Sequence, residues 1–227
     1  MAASEESRAL CGAITALEVQ ARDLDRVNLY LEGRFAFGLS NKVVVDAGLK
    51  QGDILSEAQV AGLLRREAYQ QALQQAFNYL SYRPRSAHEL ERYLTHKGHA
   101  PETIEAALAK LRDYHYVDDQ VFAQSWVENR QRYRPRGPRL LRAELGQKGV
   151  DRELTDQAIA DIAGDEHALA LEAARRKLAT VRAADYAEFG RKIGGFLLRR
   201  GFASEVTWEV VRSLWAERTG ETAPPAE

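Results

Sequence analysis

Six arginines fall within one short stretch, Arg130, Arg132, Arg134, Arg136, Arg139 and Arg142, with no acidic residue between the first and the last. A guanidinium is planar, permanently charged and able to donate two parallel hydrogen bonds, so the run suits phosphate and carboxylate oxygens alike. Helix ends rarely need more than one or two cations, and six guanidinium groups repel one another. A polyanionic or acidic partner surface is therefore the expected reason for the run. Arg83 with Arg85, and Arg175, Arg176 and Lys177, stand at comparable places along the chain, and with Lys148 they extend the candidate surface.

Other residues could do chemistry but their spacing argues against it. His96 and His99 bracket Lys97-Gly98, and a metal site could be imagined with His88 or His115, yet a lysine beside the pair disfavours a metal cation and no cysteine is near in sequence. Asp118 and Asp119 could be imagined around Mg²⁺, but adjacent helical positions do not face each other. The pair immediately precedes an apolar helix, so an N-cap with a favourable dipole is the expectation. No GxxxxGK[ST] phosphate loop, HExxH or GxSxG occurs, so the chain does not look like an ATPase, and no cofactor or metal is expected.

The 227 residues are 45% hydrophobic and 29% charged, enough for one elongated body or two small domains. A formal net charge of -1 means that any affinity for nucleic acid must come from segregated patches. Cys11 is the single cysteine, which excludes an internal disulfide framework and any multi-cysteine zinc site. The opening MAASEESRAL is acidic where a signal peptide would be basic, and no apolar run approaches the roughly 18 residues of a membrane span. The reading is a soluble, cytoplasmic monomer.

The elements that must position these side chains follow from periodicity. Ile14, Leu17 and Val19, then Val27, Leu29 and Leu31, then Phe35, Phe37 and Leu39 alternate as three short strands, broken at Arg22 to Asp25 and at Glu32-Gly33. A helical period begins near Asn41, and Ser56 to about Tyr82 reads as one long helix that Arg83-Pro84-Arg85 ends. Ser86-Ala87-His88-Glu89 is a capping-box pattern, Lys97-Gly98 closes the helix it opens, and Pro101 starts the next.

Aligning three glycines exposes a repeat. Gly98 is preceded by Leu90 and Leu94 and followed by Ile104, Leu108 and Leu111. Gly149 reproduces the spacing with Leu141, Leu145, Thr155, Ile159 and Ile162, and Gly201 with Ile193, Leu197, Thr207, Val211 and Leu214. Lys97, Lys148 and Arg200 precede the three glycines. A further apolar helix stands ahead of each pair, so the unit is a three-helix module with a period of about fifty residues. The third copy departs from the others, with Phe189-Gly190 at its start and Gly194-Gly195 weakening its middle. The expected architecture is mainly α: three tandem three-helix repeats in an elongated curved array, with a small N-terminal antiparallel β element. Expected boundaries are a disordered start (1–12), the β element (13–55), a linker helix with repeat 1 (56–120), repeat 2 (121–165), repeat 3 (166–219) and a disordered tail (220–227).

Residues from about Ala72 to Trp215 resemble the RecX family, regulators of the RecA recombinase. The likeness rests on Leu80-Ser-Tyr-Arg-Pro-Arg-Ser86 with Glu89-Leu90, Leu94 and Lys97-Gly98, on Tyr116-Val-Asp-Asp119 with Phe122-Ala123, on Gly137-Pro138 with Glu144-Leu145 and Lys148-Gly149-Val150, and on Arg199-Arg-Gly-Phe202. The resemblance implies a non-enzymatic modulator, mainly an inhibitor, that lies in the groove of the RecA filament on single-stranded DNA and limits ATP hydrolysis, strand exchange and co-protease activity. It defines no catalytic residue. The residues by themselves leave three other readings open: a direct DNA-binding helical module independent of RecA, a DNA-acting helical-repeat enzyme, which would need a buried carboxylate facing an aromatic pocket, and a generic helical scaffold.

Overall fold

In a computed structural model, residues 11–163 and 165–220 are described, without the side chains of 161–163. The expected disordered segments therefore lie outside the described residues apart from Cys11, Gly12 and Gly220, and the place of Ile162 in the repeat lies outside them too. Four strands open the chain: β1 (Gly12–Gln20), β2 (Asp23–Leu31), β3 (Arg34–Ser40) and β4 (Ile54–Leu55), antiparallel in the order β3-β2-β1-β4. Ten helices follow or intervene among the described residues: α1 (Asn41–Asp46), α2 (Glu57–Leu80), α3 (Ala87–His96), α4 (Pro101–Asp113), α5 (Asp119–Tyr133), α6 (Pro138–Gln147), α7 (Arg152–Ala163), α8 (Glu166–Leu178), α9 (Tyr186–Arg199) and α10 (Ser204–Thr219). The protein is thus mainly helical, with repeated three-helix modules after an N-terminal β element.

The described chain divides into two units, one running to Arg83 and including Leu90–Tyr116, the other comprising Pro84–Glu89 and the residues from Val117 onward. In the first unit Ile14, Leu29, Leu31, Leu39, Val43, Leu55, Val60 and Leu63 form a core between the sheet and the helices α1 and α2. Glu32 (φ 48) and Gly33 (φ 75) make the tight turn expected between β2 and β3, because both central residues of such a turn need positive φ. The other break is shorter than expected: Gln20 pairs with Asp23, so the turn is Ala21-Arg22 and β2 begins at Asp23. Phe35 also departs from the simple alternation. A register shift between Leu29 and Tyr30 inserts Ala36 as an extra residue, so Phe35 turns to the outside and stands edge-on to Tyr30, 5.9 Å between centroids. Glu67, buried on α2, accepts from Arg26 Nη1 (3.0 Å), Ser40 N (2.6 Å) and Gln71 Nε2 (2.8 Å), which satisfies its carboxylate and ties helix to sheet.

The glycine-aligned register is a description of the buried positions. Before the glycines, Leu90 and Leu94, Leu141 and Leu145, and Ile193 and Leu197 are all fully buried; after them, Ile104, Thr155 and Thr207, and Leu108, Ile159 and Val211, are buried as well. Gly98, Gly149 and Gly201 have φ of 87°, 71° and 85°, the left-handed helix end that glycine adopts without a Cβ penalty.

At Gly149 and Gly201 a second requirement appears, because another helix begins against the turn. Gly137 N–H donates to Arg200 O (2.9 Å) and Arg139 N–H to Gly201 O (3.3 Å), so the start of α6 is seated on the end of α9. A Cβ on Gly201 would lie 2.4 Å from Leu140 N and Cβ. In the same way the Ser86 hydroxyl, at the start of α3, donates to Lys148 O at the end of α6 (2.5 Å), and a Cβ on Gly149 would meet His88 Cβ at 2.4 Å. Orphan carbonyls of one helix are thus satisfied by orphan donors of another, and opposite dipole ends face each other. Nothing lies within 4 Å of a Cβ built on Gly98.

In the third module the helix that leads to Gly201 starts earlier than Phe189. Asp185 caps α9, its carboxylate accepting from Glu188 N (2.7 Å) while Glu188 accepts from Ala184 N (2.9 Å). The glycines of this helix serve packing: a Cβ on Gly190 or Gly194 would stand 3.2 or 3.0 Å from the Trp208 indole, which lies across them.

Candidate functional site

The residues around the arginine run are set by helix ends. Asp118 caps α5 as expected, accepting from Gln120 N (2.9 Å) and Val121 N (3.0 Å). Its neighbour Asp119 faces another helix and accepts from Ala87 N (2.8 Å), so it satisfies a donor at the start of α3. The Ser86 hydroxyl accepts from Glu89 N (3.2 Å) as the capping box requires, and the Glu89 carboxylate holds Lys148 Nζ at 2.6 Å. Helix α5 ends at Tyr133 because Arg134 precedes Pro135; Pro138 at the first turn of α6 restarts it. The intervening segment carries Arg134 and Arg136.

The run is less uniform than its sequence suggests, because an acid just beyond it folds back among the arginines. Glu144 on α6 accepts from Arg130 Nε (3.0 Å) and from the Trp126 indole N–H (2.9 Å) on one oxygen, and pairs with Arg136 on the other. Only 13% of the Glu144 side chain is exposed, against 28% for Arg130 and 23% for Arg136, so this is a half-buried structural cluster with Arg130 stacked over Trp126. Arg142 pairs with Asp156 (2.7 Å), where the guanidinium holds the carboxyl below its ordinary range, and both stay exposed. Arg139 Nη2 donates to Leu198 O (3.3 Å), Arg132 lies over Tyr133, and both arginines point outward. Arg134 is exposed.

Of the outlying candidates, Arg83 and Arg85 are half-buried ahead of α3. Arg175 is exposed and paired with Glu217 (3.2 Å), Arg176 pairs with Glu172 one turn earlier, and Lys177 completes the basic last turn of α8. Exposed pairs of this kind contribute little stability and leave the cations available to a stronger acceptor.

The structure brings Arg134 and Arg136 together with two residues not in the candidate set, Arg199 and Arg200 at the end of α9. Burial, followed by the charges of Arg130, Arg200 and Arg134, pushes the Arg136 guanidinium below its ordinary range. Burial, Arg134 and Arg176 do the same to Arg200, which donates to Pro135 O (3.1 Å). The sequence marked Arg200 only as the cation before a glycine; nothing in its spacing to Arg134 signals proximity. That cation has a recurrent neighbour, for Lys97 lies over Tyr93 (5.5 Å), Lys148 over Trp126 (5.3 Å) and Arg200 over Phe196 (4.7 Å). Among the described residues no group of three or more His, Cys, Asp or Glu is placed to hold a metal ion, and no helix is long and apolar enough to cross a membrane.

Comparison with known proteins agrees with this modular layout. Family models match in order along the chain: the N-terminal domain of regulatory protein RecX over residues 12–56, then the first, second and third RecX three-helix domains over 72–111, 118–159 and 165–211. The regulatory protein RecX of Bacillus pumilus is 32% identical over 197 residues, covering 85% of this chain and 74% of that one. Its counterpart in Lactobacillus johnsonii is 31% identical over 210 residues, covering 91% and 76%. A crystal structure of a regulatory protein RecX superposes with a TM-score of 0.66 at 28% identity, covering 90% of this chain and all of the other. The crystal structure of RecX from Lactobacillus salivarius shares the fold, with a TM-score of 0.58 at 22% identity over 66% of this chain and 97% of that one.

Proposed function

The chain belongs to the RecX family, and we propose that it is a non-enzymatic modulator of RecA, mainly an inhibitor. It lies in the groove of the RecA filament on single-stranded DNA and limits ATP hydrolysis, strand exchange and co-protease activity. The observation that carries this reading is the presence of outward arginines, Arg132, Arg134, Arg139, Arg142, Arg175 and Arg176, on consecutive three-helix modules joined through their main chains. Arg130, Arg136 and Lys148 belong to the same module pair through Glu144 and Glu89, and Arg83 and Arg85 stand ahead of α3 as further candidate contacts. Several modest contacts carried on one chain add through effective concentration, so a filament of repeated protomers can be gripped without one deep pocket. Holding adjacent protomers at a spacing unsuited to turnover, or occupying the groove needed by incoming duplex or repressor, then slows the filament.

Co-sedimentation with RecA filaments on single-stranded DNA, with and without nucleotide, tests the binding, and the ATPase rate tests its consequence. Binding with a lowered rate is expected. An unchanged ATPase rate at saturating protein refutes the inhibitory role.

A further inference from the structure

Between the end of α5, the start of α6 and the end of α9 lies an open groove of about 270 Å³, lined by Arg134, Arg136, Leu140, Phe196, Arg199 and Arg200. It is smaller than the roughly 300–1,000 Å³ that encloses a drug-sized ligand, so it suits one charged group and not a whole cofactor. Its charge is unbalanced. Arg134, Arg136, Arg199 and Arg200 line it with no carboxylate among its lining residues, and Glu144, the partner of Arg136, is shared with Arg130. Arg176, the next nearest cation, has its own partner in Glu172. The guanidinium groups of Arg134 and Arg199 have no hydrogen-bond or ion partner among the described residues. Burial first, and then the charges of the neighbouring arginines, lower the proton affinity of Arg136 and Arg200, and an anion in the groove would offset that repulsion.

We propose that this groove is a binding site for one backbone phosphate of a single-stranded nucleic acid. Guanidinium groups arriving from three helix ends surround the groove, which matches the tetrahedral oxygens of a phosphodiester better than the plane of a single carboxylate. Leu140 and Phe196 give it an apolar wall for the adjoining sugar. Within the groove Arg200 lies over the Phe196 ring (4.7 Å), the pairing of cation and aromatic face that single-strand binders use. The inference rests on the proposed function only in taking this side of the second and third modules as the contact face, and it assigns the strand, not the recombinase, to the groove.

The test uses the full chain and a fluorescein-labelled oligothymidylate without recombinase, read by anisotropy across a salt series. Arg134→Gln combined with Arg199→Gln removes two exposed guanidinium groups that hold nothing in the fold, and circular dichroism checks that the helices persist. Arg152→Gln, at a side chain 94% exposed on α7, is the control for loss of charge elsewhere. The double variant is expected to bind about tenfold or more weakly, since a hydrogen bond to a charged group is worth about 1.5–3 kcal/mol. Its slope of log K against log salt should flatten by about 0.7, the value of one phosphate on a single strand, with little change in the control. An unchanged slope overturns the proposal, as does displacement of the strand by polyglutamate as readily as by unlabelled oligothymidylate. In either case co-sedimentation with recombinase filaments still reports separately on the proposed function.

Discussion

Replacing each register glycine by alanine separates what the turn needs from what the joint needs. All three sit at positive φ, so each substitution carries the left-handed penalty of about 1–2 kcal/mol. At Gly98 nothing else is added, because its Cβ would enter open space. At Gly201 the new methyl overlaps Leu140 N and Cβ, both part of or fixed to the backbone of α6, so the helix must retreat. That retreat sacrifices the bonds from Gly137 N and Arg139 N to Arg200 O and Gly201 O, about 1 kcal/mol each, and repacking adds about 1–3 kcal/mol. Gly201→Ala is thus expected to cost about 4–7 kcal/mol against about 1–2 kcal/mol for Gly98→Ala, with Gly149→Ala between them because His88 can yield partly. Trp126, Trp208 and Trp215 all belong to the unit containing Gly149 and Gly201, so tryptophan fluorescence in urea reads those two substitutions; far-ultraviolet circular dichroism reads Gly98→Ala. Equal losses at the three positions would refute the joint as a stability element and leave only the turn.

Four other outcomes follow from the same contacts. Arg132→Glu with Arg134→Glu should weaken filament co-sedimentation and leave the urea midpoint within about 0.5 kcal/mol; Arg136→Glu, which sets a second carboxylate against Glu144, should destabilise the fold by about 2 kcal/mol or more. Thr155 and Thr207 bury hydroxyls that have no hydrogen-bond partner among the described residues, so Thr155→Val and Thr207→Val should each raise stability by about 1 kcal/mol in urea denaturation. Asp118→Ala and Asp119→Ala should each cost about 1 kcal/mol, the first by uncapping α5 and the second by stranding Ala87 N–H, without altering ATPase inhibition per folded molecule. Burial lowers the pKa of His99, whose ring nitrogen lies 3.1 Å from Gln75 Oε1. The unfolded chain therefore takes up this proton at higher pH than the folded one, and the contribution is present above about pH 6.5 and lost as pH falls through the folded value. Equilibrium unfolding from about pH 7 down to about pH 5 should fall less steeply for His99→Gln than for the parent, and parallel curves would remove His99 as a source of acid sensitivity.

The three-module core was legible because it is written in a pattern that survives translation along the chain: Leu90 with Leu94, Leu141 with Leu145 and Ile193 with Leu197 precede a glycine at the same distances, and burial dictates each pair. The second hairpin was legible for a similar reason, since Glu32-Gly33 permits only a narrow set of turns. What sequence concealed depends on contacts between distant residues. Strand β4 is two residues long and is created by pairing with Gly12 and Ala13, so no period can announce it. The outward face of Phe35 comes from one extra residue in β3. Asp119 serves a donor on a helix that begins 32 residues before it, and the placement of Arg199 and Arg200 beside Arg134 follows from the seating of α6 on α9. The arginine run looked free of acids because Glu144 lies two residues past Arg142, and only the folding of α6 against α5 returns it to the cluster.

The seating of α6 on α9 has a mechanical corollary. A junction that hydrogen-bonds the backbone of one bundle to that of the next restrains the second and third bundles from swivelling to suit what they meet. Whatever presents the matching arrangement of negative groups is held without a further loss of internal motion, and whatever is wound to another pitch is refused by both bundles together.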